Sequence, residues 1–180
     1  MKFYLDTSVF GGYWDEIFKV DTIAFLEYAG ESNAELIYSD VTEEELDSAP
    51  HKVKQLVQNL EEIEGIRMKV IEMNDEAEIL AKRYIEEGAL AKKCEGDARH
   101  IALASIYGVN ALVSWNFKHM VNFIRIQQYN SINLRLGYRP IDIRSPKQGQ
   151  KPGSRTAEST VILRCRTRRL RTLTVMILSA

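Results

Sequence analysis

The sequence predicts an α/β fold built on a parallel sheet, and three observations carry that prediction. Short apolar runs of strand length recur at Lys2–Leu5, Ala34–Tyr38, Arg67–Met73 and Ala111–Val113. Segments with helical periodicity separate them. Helix starts and stops are marked by capping residues and glycines, not by hairpin turns. Strands alternating with helices imply crossovers, so the strands run parallel with helices on both faces.

Lys2–Leu5 is short, apolar and aromatic, and it stops at Asp6 and a Gly11-Gly12 turn. Glu16–Ala29 carries a stripe of Ile17, Val20, Ile23, Ala24 and Leu26, with Gly30 as its C-cap. The second strand ends in Ser39-Asp40. Thr42-Glu43-Glu44-Glu45 then fits a capping box, with Thr42 as N-cap and Glu45 at the third helical position. Pro50 separates this helix from one that runs to about Ile63, with Val53, Leu56, Val57 and Leu60 on one face. Asn74 or Asp75 caps a helix stopped by Gly88. The next helix spans about Glu95 to Tyr107 and ends at Gly108. After Ala111–Val113, two helical pieces are expected, Phe117–Val121 and Asn122 to about Arg135, and Ile141–Ile143 reads as a last strand.

A chain of 180 residues with 45% hydrophobic and 27% charged residues has the composition of one soluble globular domain. Its net charge of -1 is unevenly spread: Lys151–Ala180 carries +6, so the rest carries -7. An acidic body is a poor general nucleic-acid surface, though it does not exclude a nuclease whose acids are neutralised by bound cations. Cys94 and Cys165 are far apart and have no zinc-ligand spacing, which fits a reducing, cytoplasmic setting. No apolar stretch approaches the roughly 20 residues that span a bilayer, so no membrane role is expected.

Polar residues fall at equivalent places along this alternation. Asp6 ends the first strand and Ser114-Trp115-Asn116 ends the fourth. In an open α/β sheet, ligands gather beyond the carboxyl ends of the strands. Glu45 lies in the first turn after the second strand, where it serves either its capping box or a site. Asp97 begins a helix that runs into a strand, so topology alone does not bring it to the same edge. His100 shares a helical face with Asp97 and reads as its partner or as a packing residue. Lys118 and His119 follow Asn116 closely. With Ser114 and Thr7 they are candidate contacts for a substrate phosphate.

The segments Leu5-Asp6-Thr7-Ser8, Thr42-x-x-Glu45-Leu46, Gly96-Asp97-Ala98-Arg99-His100 and Ser114-Trp115-Asn116-Phe117-Lys118-His119 together resemble the PIN-domain nucleases. The nearest branch is the VapC-like toxins of type II toxin–antitoxin modules. The resemblance covers residues 1–147. It implies a parallel sheet of about five strands in a three-layer α/β/α arrangement, and cleavage of RNA with Mg²⁺ or Mn²⁺. It also implies a protein antitoxin and a homodimer, with the Glu16–Ala29 and Val53–Leu60 helices as candidate dimer faces. By the same resemblance Asp6, Glu45 and Asp97 are metal ligands. Asn116 stands where many members have a fourth acid. The alternative is a catalytically weak or inactive PIN-like module that binds RNA or protein. A strand ending in Asp-Thr is also similar to the haloacid dehalogenase phosphatases, which need a second acid where this chain has Ser8. Converging carboxylates repel one another unless a cation is bound, so the metal-free protein is expected to be less stable.

Residues 148–180 stand apart. Gln148–Ser154 reads as a linker, and the Arg-rich remainder lacks caps and periodicity, so disordered or non-native sequence is expected there.

Overall fold

A computed structural model describes residues 1–62 and 65–149. The basic tail beyond Gly149 lies outside the described residues. Five parallel strands form one sheet in the order β3-β2-β1-β4-β5: β1 Lys2–Leu5, β2 Glu35–Ser39, β3 Arg67–Ile71, β4 Ala111–Val113 and β5 Ile143–Arg144. The helices are α1 Thr7–Gly12, α2 Lys19–Glu31, α3 Asp40–Asp47, α4 His51–Glu61, α5 Asp75–Glu86, α6 Glu95–Ile106, α7 Phe123–Arg135 and α8 Pro146–Gly149. A 3₁₀ turn, Lys92–Cys94, precedes α6.

The register explains why these strands are apolar on both faces. Tyr4 pairs with Ile37 and Leu112, and Leu112 with Ile143. All four enter the core packed by α5, α6 and α7. One residue earlier, Phe3 pairs with Leu36 and Ala111, and these enter the opposite core with α1, α2 and α4. A parallel sheet covered on both faces requires this continuous hydrophobicity. Among the described residues no helix is long and apolar enough to cross a membrane.

Several local expectations are corrected. Residues 7–12 are helical and not a turn, because the Asp6 side chain accepts a hydrogen bond from the Ser8 amide and caps α1. Gly30 stays inside α2, whose exit is turned instead by Asn33 at φ 49. Ile17 and Val20 are exposed (80% and 69%), and the inner stripe of α2 is Thr22, Ile23, Phe25, Leu26 and Ala29. Val53, Leu56, Val57 and Leu60 are core residues, so the apolar side of α4 packs within the chain. Residues 117–121 are not helical, since the Met120 and Val121 amides both turn back onto the Asn116 carbonyl. Pro146–Gly149, read in part as linker, is a short helix against α2.

Gly11 and Gly12 test how tightly α1 is held. A Cβ on Gly12 would lie 2.5 Å from Trp115 Nε1, which donates to Thr22 Oγ1 at 2.9 Å; a Cβ on Gly11 meets nothing within 4 Å. Gly12→Ala is expected to lower stability by about 1–3 kcal/mol, from overpacking. Gly11→Ala is expected to raise it by up to about 1 kcal/mol, from helix propensity. Urea denaturation of the two variants checks the opposite signs.

Candidate metal centre

The carboxyl edge of the sheet gathers the polar residues singled out in the sequence. Asp6 directly follows β1 and is 5% exposed, with its amide bonded to the Val113 carbonyl at 3.1 Å. Its Oδ2 accepts from Ser114 Oγ at 2.8 Å and from Ser8 Oγ. Ser114 and Ser8 thus orient Asp6. Ser114 is fully buried and Thr7 donates its hydroxyl to Glu45, so neither is a free contact for a substrate phosphate. Ser8 likewise serves as a donor to Asp6 where a phosphatase would need an acid.

Glu45 does not cap its helix. The capping box of α3 is Ser39 with Thr42, set three residues earlier than the sequence suggests, and it leaves Glu45 in the second turn. Glu45 Oε2 there accepts from Thr7 Oγ1 and lies 3.4 Å from His100 Nε2. Gly96 permits the approach of α6, since a Cβ at that position would stand 2.9 Å from Glu45 Oε1.

His100 is the residue whose role sequence reasoning missed. It is 1% exposed. Its Nε2 lies 3.7 Å from Asp6 Oδ1 as well as 3.4 Å from Glu45 Oε2. On the other side, its Nδ1 bonds to Tyr4 Oη at 2.7 Å, and Tyr4 Oη bonds to Ser39 Oγ at 2.7 Å. The imidazole therefore bridges Asp6 and Glu45, and its bonds do not reach Asp97. Burial alone would lower its pKa, but the hydrogen bond to Glu45 and the charges of Asp6, Glu45 and Asp97 outweigh that, and the pKa is raised. Burial pushes Glu45 up, yet His100 and Thr7 more than offset it, and the net shift is downward.

Asp97 is brought to the same edge by the first turn of α6. Burial, with the Asp6 and Glu45 charges against it, raises its pKa to about 6. Asn116 Nδ2 donates to Asp97 Oδ1 at 3.0 Å, and Asn116 Oδ1 accepts from the His119 amide at 3.0 Å. Asn116 thus holds Asp97 in place. The potential ligand atoms fall into two groups, Asp6–Glu45–His100 and Cys94–Asp97–His119, each within 4.8 Å. A cleft of about 380 Å³ is lined by Glu45, Lys93, Cys94, Gly96, Asp97 and His119. Lys118 is exposed on the same turn as His119.

One oxygen of each carboxylate is tied by hydrogen bonds, and of the others Asp6 Oδ1 faces His100 Nε2 at 3.7 Å. Asp6 Oδ2, Glu45 Oε2 and Asp97 Oδ1 take the hydrogen bonds described above. Asp6 Oδ1, Glu45 Oε1 and Asp97 Oδ2 accept none from a described residue. Hard oxygen donors of this kind fit a small divalent cation that keeps several waters.

No protein-family model matches the chain, and no curated protein does. Among solved structures, the chain is similar to one chain of the VapBC2 complex from Rickettsia felis, a complex bound to a DNA fragment from its promoter. The TM-score is 0.55 at 16% identity, over 81% of this chain and 98% of that one. The chain has a PIN-like fold. At that identity the likeness establishes architecture, and the PIN-like chemistry has to be argued from the site.

The pKa shifts fix a pH profile for the metal-free chain. Asp97 is raised from 3.8 to about 6, so its contribution to stability is fully present below about pH 4 and lost as the pH rises through about 6. His100, raised above its ordinary value, adds a further loss at higher pH. Glu45, lowered, costs stability only as the pH falls below its ordinary range. The melting temperature is expected to peak at roughly pH 5 and to decline toward pH 8, where a divalent cation should restore it. Thermal melts with and without Mn²⁺ test this; a profile flat from pH 5 to 8 would contradict it.

Proposed function

We propose that this chain is a metal-dependent endoribonuclease that hydrolyses RNA phosphodiester bonds with Mg²⁺ or Mn²⁺. We further propose that it acts in the cytoplasm as the toxin of a type II toxin–antitoxin pair, as a homodimer opposed by its antitoxin. One observation carries the reading: Asp6, Glu45 and Asp97 gather at the carboxyl edge of the sheet, near enough that the Asp6 and Glu45 charges help raise the Asp97 pKa to about 6. The PIN-like fold supports it.

Hydrolysis requires water to attack a phosphorus that already bears negative charge, and a divalent cation held by Asp6, Glu45 and Asp97 would activate that water and offset charge on the phosphate. The chain's own residues supply the positioning. Ser8 and Ser114 aim Asp6, Thr7 aims Glu45, and Asn116 aims Asp97. Lys118 and His119 stand at the rim, where an RNA phosphate would pass. Asp6 is 5% exposed and so shielded from bulk water, which strengthens its attraction for a cation.

A second reading, a PIN-like module that binds RNA or protein with little or no catalysis, draws on Asn116, whose amide leaves the site one negative charge short of four acids. Two assays separate the readings. Cleavage of single-stranded RNA in Mn²⁺ is expected for the unaltered chain and should fall at least about 100-fold in Asp6→Asn and Asp97→Asn. Equal activity in all three would sink the assignment. Asn116→Asp is expected to bind Mn²⁺ more tightly by calorimetry while melting lower without metal, since it sets a like charge against Asp97. RNA binding with no heat of Mn²⁺ binding would favour the second reading.

A further inference from the structure

Cys94 and His119 are 25 positions apart and a strand lies between them, yet Cys94 Sγ is 3.6 Å from His119 Nε2. We propose that Cys94, Asp97 and His119 form a site for a borderline-soft divalent cation, Zn²⁺ above all. This site would adjoin the oxygen site and share Asp97 with it.

The three potential ligand atoms lie within 4.8 Å of one another. A tetrahedral zinc with Zn–S of about 2.3 Å and Zn–N of about 2.0 Å sets sulfur and nitrogen about 3.5 Å apart, close to the separation found. The ligands are held before any ion arrives. Cys94 closes the 3₁₀ turn and is the N-cap residue of α6, with Asp97 three positions on. His119 is gripped at both ends of its backbone: its amide donates to Asn116 Oδ1 at 3.0 Å, and its carbonyl accepts from Tyr129 Oη at 2.6 Å. The imidazole itself is poorly satisfied. Sulfur is a weak partner for Nε2, and Nδ1 is buried with no hydrogen-bond partner. Burial and the cations Lys118, Arg125 and Lys93 lower the pKa of His119, which favours the neutral, ligating form. Cys94, Asp97 and His119 all line the cleft, which gives an ion access from solvent.

The two sites differ in chemistry. Mg²⁺ takes oxygen and ignores thiolate, whereas Zn²⁺ takes sulfur and imidazole readily. A zinc ion held by Cys94 and His119 would draw Asp97 away from the oxygen site. On the proposed nuclease reading, Zn²⁺ is therefore an inhibitor that competes for one shared carboxylate.

Co²⁺ is the spectroscopic probe. The full chain, stripped of metals and kept reduced with a phosphine, is titrated with Co²⁺ and followed for thiolate-to-cobalt charge transfer. The band is expected to saturate at one equivalent and to be displaced by Zn²⁺. It should vanish in Cys94→Ala and need at least about tenfold more Co²⁺ in His119→Gln. It should persist in Asp6→Asn and in Cys165→Ser, the variant that removes the other thiol. Circular dichroism verifies that each variant is folded, and His119→Gln tests the site without altering the core. Absence of the band, its survival in Cys94→Ala, or its loss in Cys165→Ser would overturn the proposal. The band reads the site without RNA, so a chain that binds Co²⁺ through Cys94 but cuts nothing would refute the nuclease reading and leave this site standing. In an active chain, Zn²⁺ should inhibit Mn²⁺-dependent cleavage, and Cys94→Ala should relieve the inhibition.

Discussion

A buried imidazole between two carboxylates is the constraint on which the rest of this site depends. Asp6 and Glu45 come from different elements and would repel each other at the carboxyl edge of the sheet. His100 stands between them and is anchored behind by Tyr4, a residue of the central strand. His100 and Asp6 are both buried whereas the Glu45 side chain is 40% exposed, so loss of His100 would be felt most at Asp6. The anchoring chain Ser39–Tyr4–His100 runs from β2 through β1 to α6, so the geometry of the site is inherited from the register of the sheet.

Asp97 is left in a different condition. It feels the Asp6 and Glu45 charges but has only an amide for a partner, and it answers by holding its proton up to about 6. Two acids beside a histidine of raised pKa, with a third acid whose own pKa is pushed up to about 6, make an edge where added positive charge would be stabilising. Carboxylate oxygens would supply the hard side of the proposed metal binding. Cys94 and His119 add a softer side that meets Asp97 from the other direction. On the proposals made above, which ion occupies the cleft depends on which ligands capture Asp97.

Much of this architecture was legible in the sequence because a doubly covered parallel sheet leaves a strong signature. Ala111–Val113 and Lys2–Leu5 are apolar at every position that the register buries. Asp6 was marked by the abrupt end of the first strand. Glu45 was found for a partly mistaken reason. Thr42 fits the start of a capping box equally well as text, but Ser39 caps α3, and only three-dimensional packing could choose between them. Phe117–Val121 reads as helical in the sequence, but in the structure the Asn116 carbonyl collects both the Met120 and the Val121 amides and the segment is a turn. His100 was ambiguous because its partners lie 55 and 94 positions away, beyond any local rule. Cys94 was passed over for want of zinc-ligand spacing and His119 was read as a phosphate contact; the one local trace of their site is Cys94 three residues before Asp97 on one helical face.

The central claim is that His100 supplies the positive charge that a divalent cation can take over. Proton–carbon NMR of the His100 ring reads this directly, with His51→Gln and His119→Gln fixing the assignment. Without metal, His100 should titrate above the ordinary imidazole range, and saturating Mg²⁺ should lower that midpoint as the cation screens Asp6 and Glu45. A His100 midpoint at or below the ordinary imidazole value, or one that Mg²⁺ leaves unmoved, would contradict the account.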